Sequence, residues 1–345
     1  MNAELRRAPA PRALAALCVA IQPGGRVGTV RRLRGGISSG MHAVELIAPS
    51  GERRHLVVRR YGASALREDP RIAEREWSAL GALSRAGLPA PRPIWLDRDG
   101  AVFGCPTMVT SRLPGRGLLA PRNLAGWLRQ LAEALAQVHL ASFRDAELAS
   151  LLDQRTELAR LLERDAPPPG LARQPDGLAV WSALHRWWPH VDASASSLVH
   201  GDYWPGNTLW RYGRLTGIID WEQARRGNPD QDVGYCRLDL AFLRGPEAAD
   251  AFLGAYEAAA GRAVGHLFFW ELYAVARALG SVEQYVSGYV DLGRHDVTVD
   301  ETRARLAHFA AAALAHAAGG PGAPSSSPPL RPCSPARVGR PLAPG

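Results

Sequence analysis

Apolar and polar residues alternate in the first third of the chain, and apolar residues recur every three or four positions in the remainder. The alternation predicts strands over 27–33, 41–48 and 55–60, the last two joined as a β-hairpin at Pro49-Ser50-Gly51. A helix over 71–86 should stop at Gly87, since glycine readily takes the left-handed conformation that ends a helix. The stretch PAPRPIWL leads into a hairpin around Asp97-Arg98-Asp99-Gly100, followed by a short strand near Met108-Val109. From Asn123 the period changes: Leu124, Trp127, Leu128, Leu131, Leu135 and Val138 fall on one helical face. Further helices are expected over 146–165, 177–190, 229–243, 246–261, 266–292 and 300–318. Strands first and helices later predict an α+β protein, with a boundary near the cluster Pro114, Gly115 and Gly117. The expected units are 1–110, 111–318 and a tail, 319–345, whose eight prolines and three arginines, without an acid, predict disorder.

Composition narrows the picture. Apolar residues make up 46% and charged residues 21%, an ordinary globular balance, and no apolar run is long enough to predict a membrane-spanning helix. All 41 cations are arginine, which excludes lysine chemistry such as a Schiff base or a lysine phosphate clamp. The net charge is +8, three units of which lie in the tail, and no basic and aromatic stripe accompanies it, so no nucleic-acid partner is expected. Cys18, Cys105, Cys236 and Cys333 form no CxxC pair, which argues against a zinc site or disulfide framework and for a reducing, cytoplasmic setting. Residues 13–21 follow three arginines and are apolar. A small N-terminal helix fits them better than a signal segment, because no small-residue cleavage site follows.

The chemistry concentrates in LVHGDYWPGNTLWRYGRLTGIIDWEQARRGNPDQDVGY, residues 198–235. Two short strands, 208–210 and 215–219, flank Gly213-Arg214, and a glycine-first loop suits a type II′ turn. In that register Asn207 lies opposite Asp220, where amide and carboxylate oxygens could share one hard divalent cation such as Mg²⁺. Asp202, in a loop that Pro205 and Gly206 keep out of helix, is placed to accept a hydroxyl proton beside a metal-bound phosphate.

His200-Gly201-Asp202 with Asn207, followed by Ile218-Ile219-Asp220, resembles the aminoglycoside phosphotransferase family. The HGDxxxxN pattern parallels the catalytic loop of protein kinases. The resemblance is specific over 198–235 and looser over about 25–315. It implies a bilobal protein-kinase-like fold, with an antiparallel β lobe and a mostly helical lobe, using ATP and Mg²⁺. It further implies Asp202 as catalytic base, Asn207 and Asp220 as Mg²⁺ ligands, and His200 as support for the loop. Asn228, Pro229 and Gln231 read as N-cap, N1 and N3 of a helix. Asp232 in its first turn either braces the catalytic loop, as the family implies, or serves the helix terminus alone.

On the nucleotide side, Arg34-Gly35-Gly36-Ile37-Ser38-Ser39-Gly40 lies between two predicted strands. Gly35, Gly36, Ser38, Ser39 and Gly40 are the candidate phosphate loop. By the kinase pattern Arg59 takes the place of the strand lysine and pairs with Glu76, with Glu74 as the alternative, while Arg60 points to the other face. Backbone groups from Val109 to Ser111 would read the adenine edge.

The acceptor would be a small hydroxylated molecule, aminoglycoside-, sugar- or amino-alcohol-like. Residues 247–318 carry nine acids and five arginines, which favours a cationic or neutral one. Trp204 and Trp221 are either aromatic walls of its pocket or core, and Glu271, Tyr273 and Glu283 could line it. Trp204 stands where many protein kinases carry a lysine, which points to a small-molecule kinase. The alternatives are a nucleotide-binding regulatory pseudokinase, suggested by the irregular glycine loop and missing lysine, and a hydrolase using His200 and Asp202. No oligomeric state is implied.

Overall fold

The computed structural model describes residues 3–33, 39–191 and 197–319. Helices α1 (Ala3–Arg6) and α2 (Pro11–Ile21) precede strands β1 (Arg26–Arg32), β2 (Ser39–Ile47) and β3 (Arg53–Tyr61). Helices α3 (Ala63–Glu68) and α4 (Ile72–Arg85) follow, then β4 (Pro93–Asp97) and β5 (Thr107–Ser111). The five strands form one antiparallel sheet in the order β1-β2-β3-β5-β4.

One face of this sheet closes on the N-terminal helix. Leu14, Leu17 and Cys18 of α2 pack with Val44, Leu46, Leu56, Val58 and Val109. Alternation puts Leu56 and Val58 on this side and frees the odd positions of β3 for the opposite face. Gly87, at φ +69°, ends α4 as its sequence context predicts.

The rest of the chain is mostly helical. It runs through α5 (Leu124–Leu140), α6 (Asp145–Leu148), β6 (Leu152–Asp153), α7 (Gln154–Leu162), α8 (Pro169–Ala172), α9 (Gly177–Trp187) and β7 (Ser197–Val199). The hairpin β8 (Thr208–Arg211) and β9 (Arg214–Ile218) leads to β10 (Arg225–Gly227). The helices α10 (Asp230–Arg244), α11 (Pro246–Ala260), α12 (Leu267–Ala278), α13 (Val282–Asp291) and α14 (Val299–Ala318) complete it. A second core runs through α5, α10, α11, α12 and α14, and α10 lies at its centre, with all but one of its residues buried. No helix among the described residues is long and apolar enough to cross a membrane.

Two expected helices are broken. The segment 146–165 divides because Leu152-Asp153 pair in parallel with β10, and the Asp153 carboxylate then caps α7 through the Thr156 N–H at 2.9 Å. The segment 266–292 divides at Leu279-Gly280-Ser281, where Gly280 takes φ +82° and helical hydrogen bonding stops. Apolar periodicity continues across both breaks, because each flanking helix buries a face in the same core.

Candidate active site

The β8–β9 hairpin sets the site, and its register differs from expectation. Tyr212 (φ 52°) and Gly213 (φ 73°) are the two loop residues, so the turn is of the I′ kind. Arg211 faces Arg214, and a bulge between Leu209 and Trp210 shifts the pairs beyond it. Asn207 consequently lies opposite Ile219, whose N–H donates to the Asn207 carbonyl at 2.8 Å. Asp220 follows that pair in a left-handed conformation (φ 68°, ψ 61°), which aspartate tolerates better than most residues. The three polar residues still converge. Asn207 Nδ2 donates to the Asp202 carbonyl at 2.9 Å and to its carboxylate at 3.0 Å, and the charge of Asp220 acts on Asp202.

A buried frame holds the loop that carries Asp202. The Asp232 carboxylate, wholly buried, accepts from the N–H of His200 at 2.7 Å and of Gly201 at 2.8 Å. His139 Nε2 lies 3.1 Å from the same carboxylate and its Nδ1 2.8 Å from the Tyr256 hydroxyl. Asp232 therefore braces the loop, while the helix starts one residue later than expected, with Pro229 at the N-cap position and Asn228 before it, accepting from the Asp230 N–H at 2.8 Å.

His200 is also wholly buried. Its Nδ1 accepts from the Asp202 N–H at 3.2 Å, so Nε2 carries the proton and donates to the Ile219 carbonyl at 3.0 Å. With both ring nitrogens bonded to backbone, this histidine is engaged as support, and the hydrolase reading loses its base. Burial pushes the half-buried Asp202 carboxyl above the usual carboxylate range. The Arg277 charge opposes that push, Asp220 adds to it, and a hydrogen bond from Tyr235 again lowers it.

Arg59 sits on the site side of β3, 5% exposed. Its Nε donates to Ser39 Oγ at 3.1 Å and its Nη1 to Glu76 Oε1 at 2.9 Å. Its Nη2 contacts both Asp220 Oδ1, at 2.8 Å, and the carboxylate of Glu222. Tyr61 donates its hydroxyl to the other oxygen of Glu76, whose carboxyl burial raises above its ordinary range. Glu76 is thus the helix partner, whereas Glu74 pairs with Arg71 and Arg98 nearer the surface. Arg60 faces the other way and donates to the Leu5 carbonyl at 3.1 Å.

Other expected positions fall elsewhere. Gly35, Gly36 and Ser38 lie outside the described residues. Gly40 belongs to β2, where an added Cβ would meet the Leu5 carbonyl at 2.3 Å, so its role is close packing against the N-terminal segment. Val109 is fully buried and paired with Val58 on one side and Trp95 on the other, so its backbone serves the sheet and not an adenine edge. Ser111 ends β5, with its N–H donated to the Arg92 carbonyl and its Oγ accepting from the Arg92 N–H.

Trp221 is 1% exposed, donates Nε1 to the Ile218 carbonyl at 3.0 Å and packs 4.4 Å from the His200 ring; it is core, not pocket wall. Trp204 is partly exposed, with its ring 5.7 Å from that of Tyr289. Glu271 is 3% exposed and accepts from Arg237 Nε at 2.8 Å, an internal ion pair that takes it away from any acceptor. Glu283 pairs with Arg303 at the surface, and Tyr273 packs on Trp270.

Four residues of the site escaped the sequence reading: Glu222, Gln223, Tyr235 and Arg277. Glu222 carried a faint signal, two positions beyond Asp220. Gln223 lies in the same turn, and Tyr235 and Arg277 carried none, since α10 and α12 meet the loop only in three dimensions.

Among the described residues no group of three or more histidine, cysteine, aspartate or glutamate side chains could hold a metal ion. The candidate donors are instead the Asn207 amide oxygen and the Asp220 carboxylate at the end of the hairpin, beside the Glu76 and Glu222 carboxylates that pair with Arg59. That donor set fits Mg²⁺, which takes one or two protein oxygens and fills its shell from phosphate and water.

A family described as "Phosphotransferase enzyme family" matches residues 29–268. Homoserine kinase of Gluconacetobacter diazotrophicus is 30% identical over 236 residues, 63% of this chain and 68% of that protein. Acyl-CoA dehydrogenase family member 10 of Mus musculus is 25% identical over 197 residues, 54% of this chain but only 18% of that longer protein. Among solved structures, a thermostable mutant of aminoglycoside phosphotransferase APH(4)-Ia in complex with ADP and hygromycin B aligns with a TM-score of 0.57. It is 17% identical, and the alignment covers 88% of this chain and 98% of that one, a likeness of fold.

Proposed function

Since the chain belongs to the phosphotransferase enzyme family, matched over residues 29–268, we propose that it moves the γ-phosphoryl group of ATP to a hydroxyl of a small molecule. The observation that carries this reading is the convergence of Asp202, Asn207 and Asp220 with the Arg59–Glu76 pair. The solved relative with bound ADP and the homoserine kinase relative support ATP as donor and a small hydroxylated molecule as acceptor.

Residues 1–110 are then the nucleotide lobe, with Arg59 near the phosphates. Residues 111–318 carry the reaction. Asp202 orients the acceptor hydroxyl and takes its proton as the new O–P bond forms and the bond to the ADP oxygen breaks. Asn207 Oδ1 and the Asp220 carboxylate would hold Mg²⁺, which would offset phosphate charge. Asp232 and His200 keep the loop in place. The acceptor lies near Trp204. Dependence on ATP fits a cytoplasmic protein.

The test incubates the full chain with Mg-ATP and a panel of amino alcohols, hydroxy amino acids, sugars and aminoglycosides, and detects ADP and phosphomonoester by mass spectrometry. At least one acceptor should be phosphorylated by the wild type and not by Asp202→Asn. Transfer that survives in Asp202→Asn overturns the assignment of Asp202, and no transfer to any member of the panel overturns the acceptor class.

A further inference from the structure

We propose that Arg277 on α12 is a positioning residue for the transfer step, holding the peptide that presents Asp202. This rests on the phosphotransferase reading above. Arg277 Nη1 donates to the Gly201 carbonyl at 2.8 Å, and Nη2 donates to Gln223 Oε1 at 2.9 Å. The guanidinium lies over the Tyr235 ring, 4.7 Å from its centroid, and Tyr235 hydrogen-bonds to the Asp202 carboxylate. One side chain therefore ties together the Asp202 loop, the turn after Asp220 and helix α10.

The Gly201 carbonyl belongs to the peptide immediately before Asp202, so its orientation sets where the Asp202 side chain starts. Gly201 itself is held at φ +80°, and an added Cβ would stand 2.3 Å from the Gln223 carbonyl. A turn this crowded needs anchors on both ends. Asp232 fastens its N–H side and Arg277 its carbonyl side.

The charged and titratable neighbours of Asp202 are Asp220 beyond β9, His200 on its own loop, Tyr235 and Asp239 on α10, Tyr285 on α13 and Arg277 on α12. Arg277 places a permanent positive charge among these acids, since arginine does not deprotonate in proteins. Arginine suits the task because its planar fork reaches two oxygens in different segments while its face rests on the tyrosine. Lysine would keep the charge but not that geometry.

The experiment compares wild type, Arg277→Gln, Arg277→Lys, Gln223→Ala and Asp202→Asn in Mg-ATP turnover, with water or a panel acceptor receiving the phosphoryl group. Arg277→Gln should lower kcat by about ten- to a hundred-fold, the scale on which misplaced catalytic groups act. KM for Mg-ATP should stay within about two-fold, because the phosphate contacts lie elsewhere. Arg277→Lys should recover part of kcat, and Gln223→Ala, which removes one anchor, should lose less than Arg277→Gln. A kcat for Arg277→Gln near that of wild type overturns the proposal. So does a parallel loss of kcat and ATP affinity in both Arg277 variants. If those variants do not fold, an unchanged kcat in Gln223→Ala overturns it. Wild type indistinguishable from Asp202→Asn would instead overturn the phosphotransferase reading.

Discussion

Arg59 Nη2 stands 2.8 Å from Asp220 Oδ1, although β3 and the end of β9 are far apart in the chain. The same guanidinium reaches Glu76, Glu222 and Ser39. This ion cluster joins the sheet of the first part of the chain to the hairpin of the second.

Removing its centre should be costly. Arg59→Ala leaves the buried Glu76 and the partly buried Asp220 and Glu222 without their counter-charge and is expected to lower stability by about 3–5 kcal/mol, measured by thermal or urea unfolding. Arg59→Lys should fall between, because an ammonium cannot span Ser39, Glu76, Asp220 and Glu222 at once. A fluorescent ATP analogue should bind more weakly to both.

Asp202 and Asp220 should separate in their effects. Asp202→Ala is expected to abolish transfer while a nucleotide analogue binds nearly as before. Asp220→Ala should weaken Mg²⁺-dependent nucleotide binding itself, read by titration with and without Mg²⁺.

Asp232→Asn keeps shape but puts an amide N–H against backbone donors at His200 or Gly201. Leaving one buried donor unsatisfied costs about 1–3 kcal/mol. Unfolding midpoints should drop accordingly, and kcat should fall, because the loop carrying Asp202 loses its brace.

Glu271→Ala distinguishes structure from recognition. Arg237 is 1% exposed, and without Glu271 it keeps Asp250 and the Ala249 carbonyl. Stability should fall by about 3–5 kcal/mol, while KM for whichever acceptor is phosphorylated changes little at a temperature where the variant stays folded.

Acid should weaken the fold through His42. Burial, then the charges of Arg60 and Arg32, lower its pKa to about 4 from an ordinary 6.5. The folded state thus resists protonation that the unfolded state accepts, so stability present above pH 6.5 is lost as the pH falls toward 4. The shift corresponds to about 3 kcal/mol. In a series of unfolding curves between pH 7 and 4, His42→Phe should lose this share of the pH dependence.

Much of the architecture was legible because its signals are local. Alternation over 41–48 and 55–60 reflects strands whose every second side chain enters the apolar cluster under α2, and Gly87 ends α4 because a left-handed residue is needed there. The same locality explains the errors. Tyr212-Gly213 and Gly213-Arg214 are both acceptable loops by composition, and the bulge at Leu209-Trp210 leaves no mark in the pattern. Periodicity alone could not reveal the break at Gly280, since α12 and α13 pack on one core.

The linear chain by itself determined the succession of strands and helices and the HGDxxxxN spacing, because both arise among residues a few positions apart. Tertiary structure alone decided that Trp221 and Glu271 turn inward, that three acids share Arg59, and that Arg277 grips the Gly201 carbonyl. Burial and ion pairing depend on which distant segments meet, and that is settled only when the helices and sheet pack into a common core.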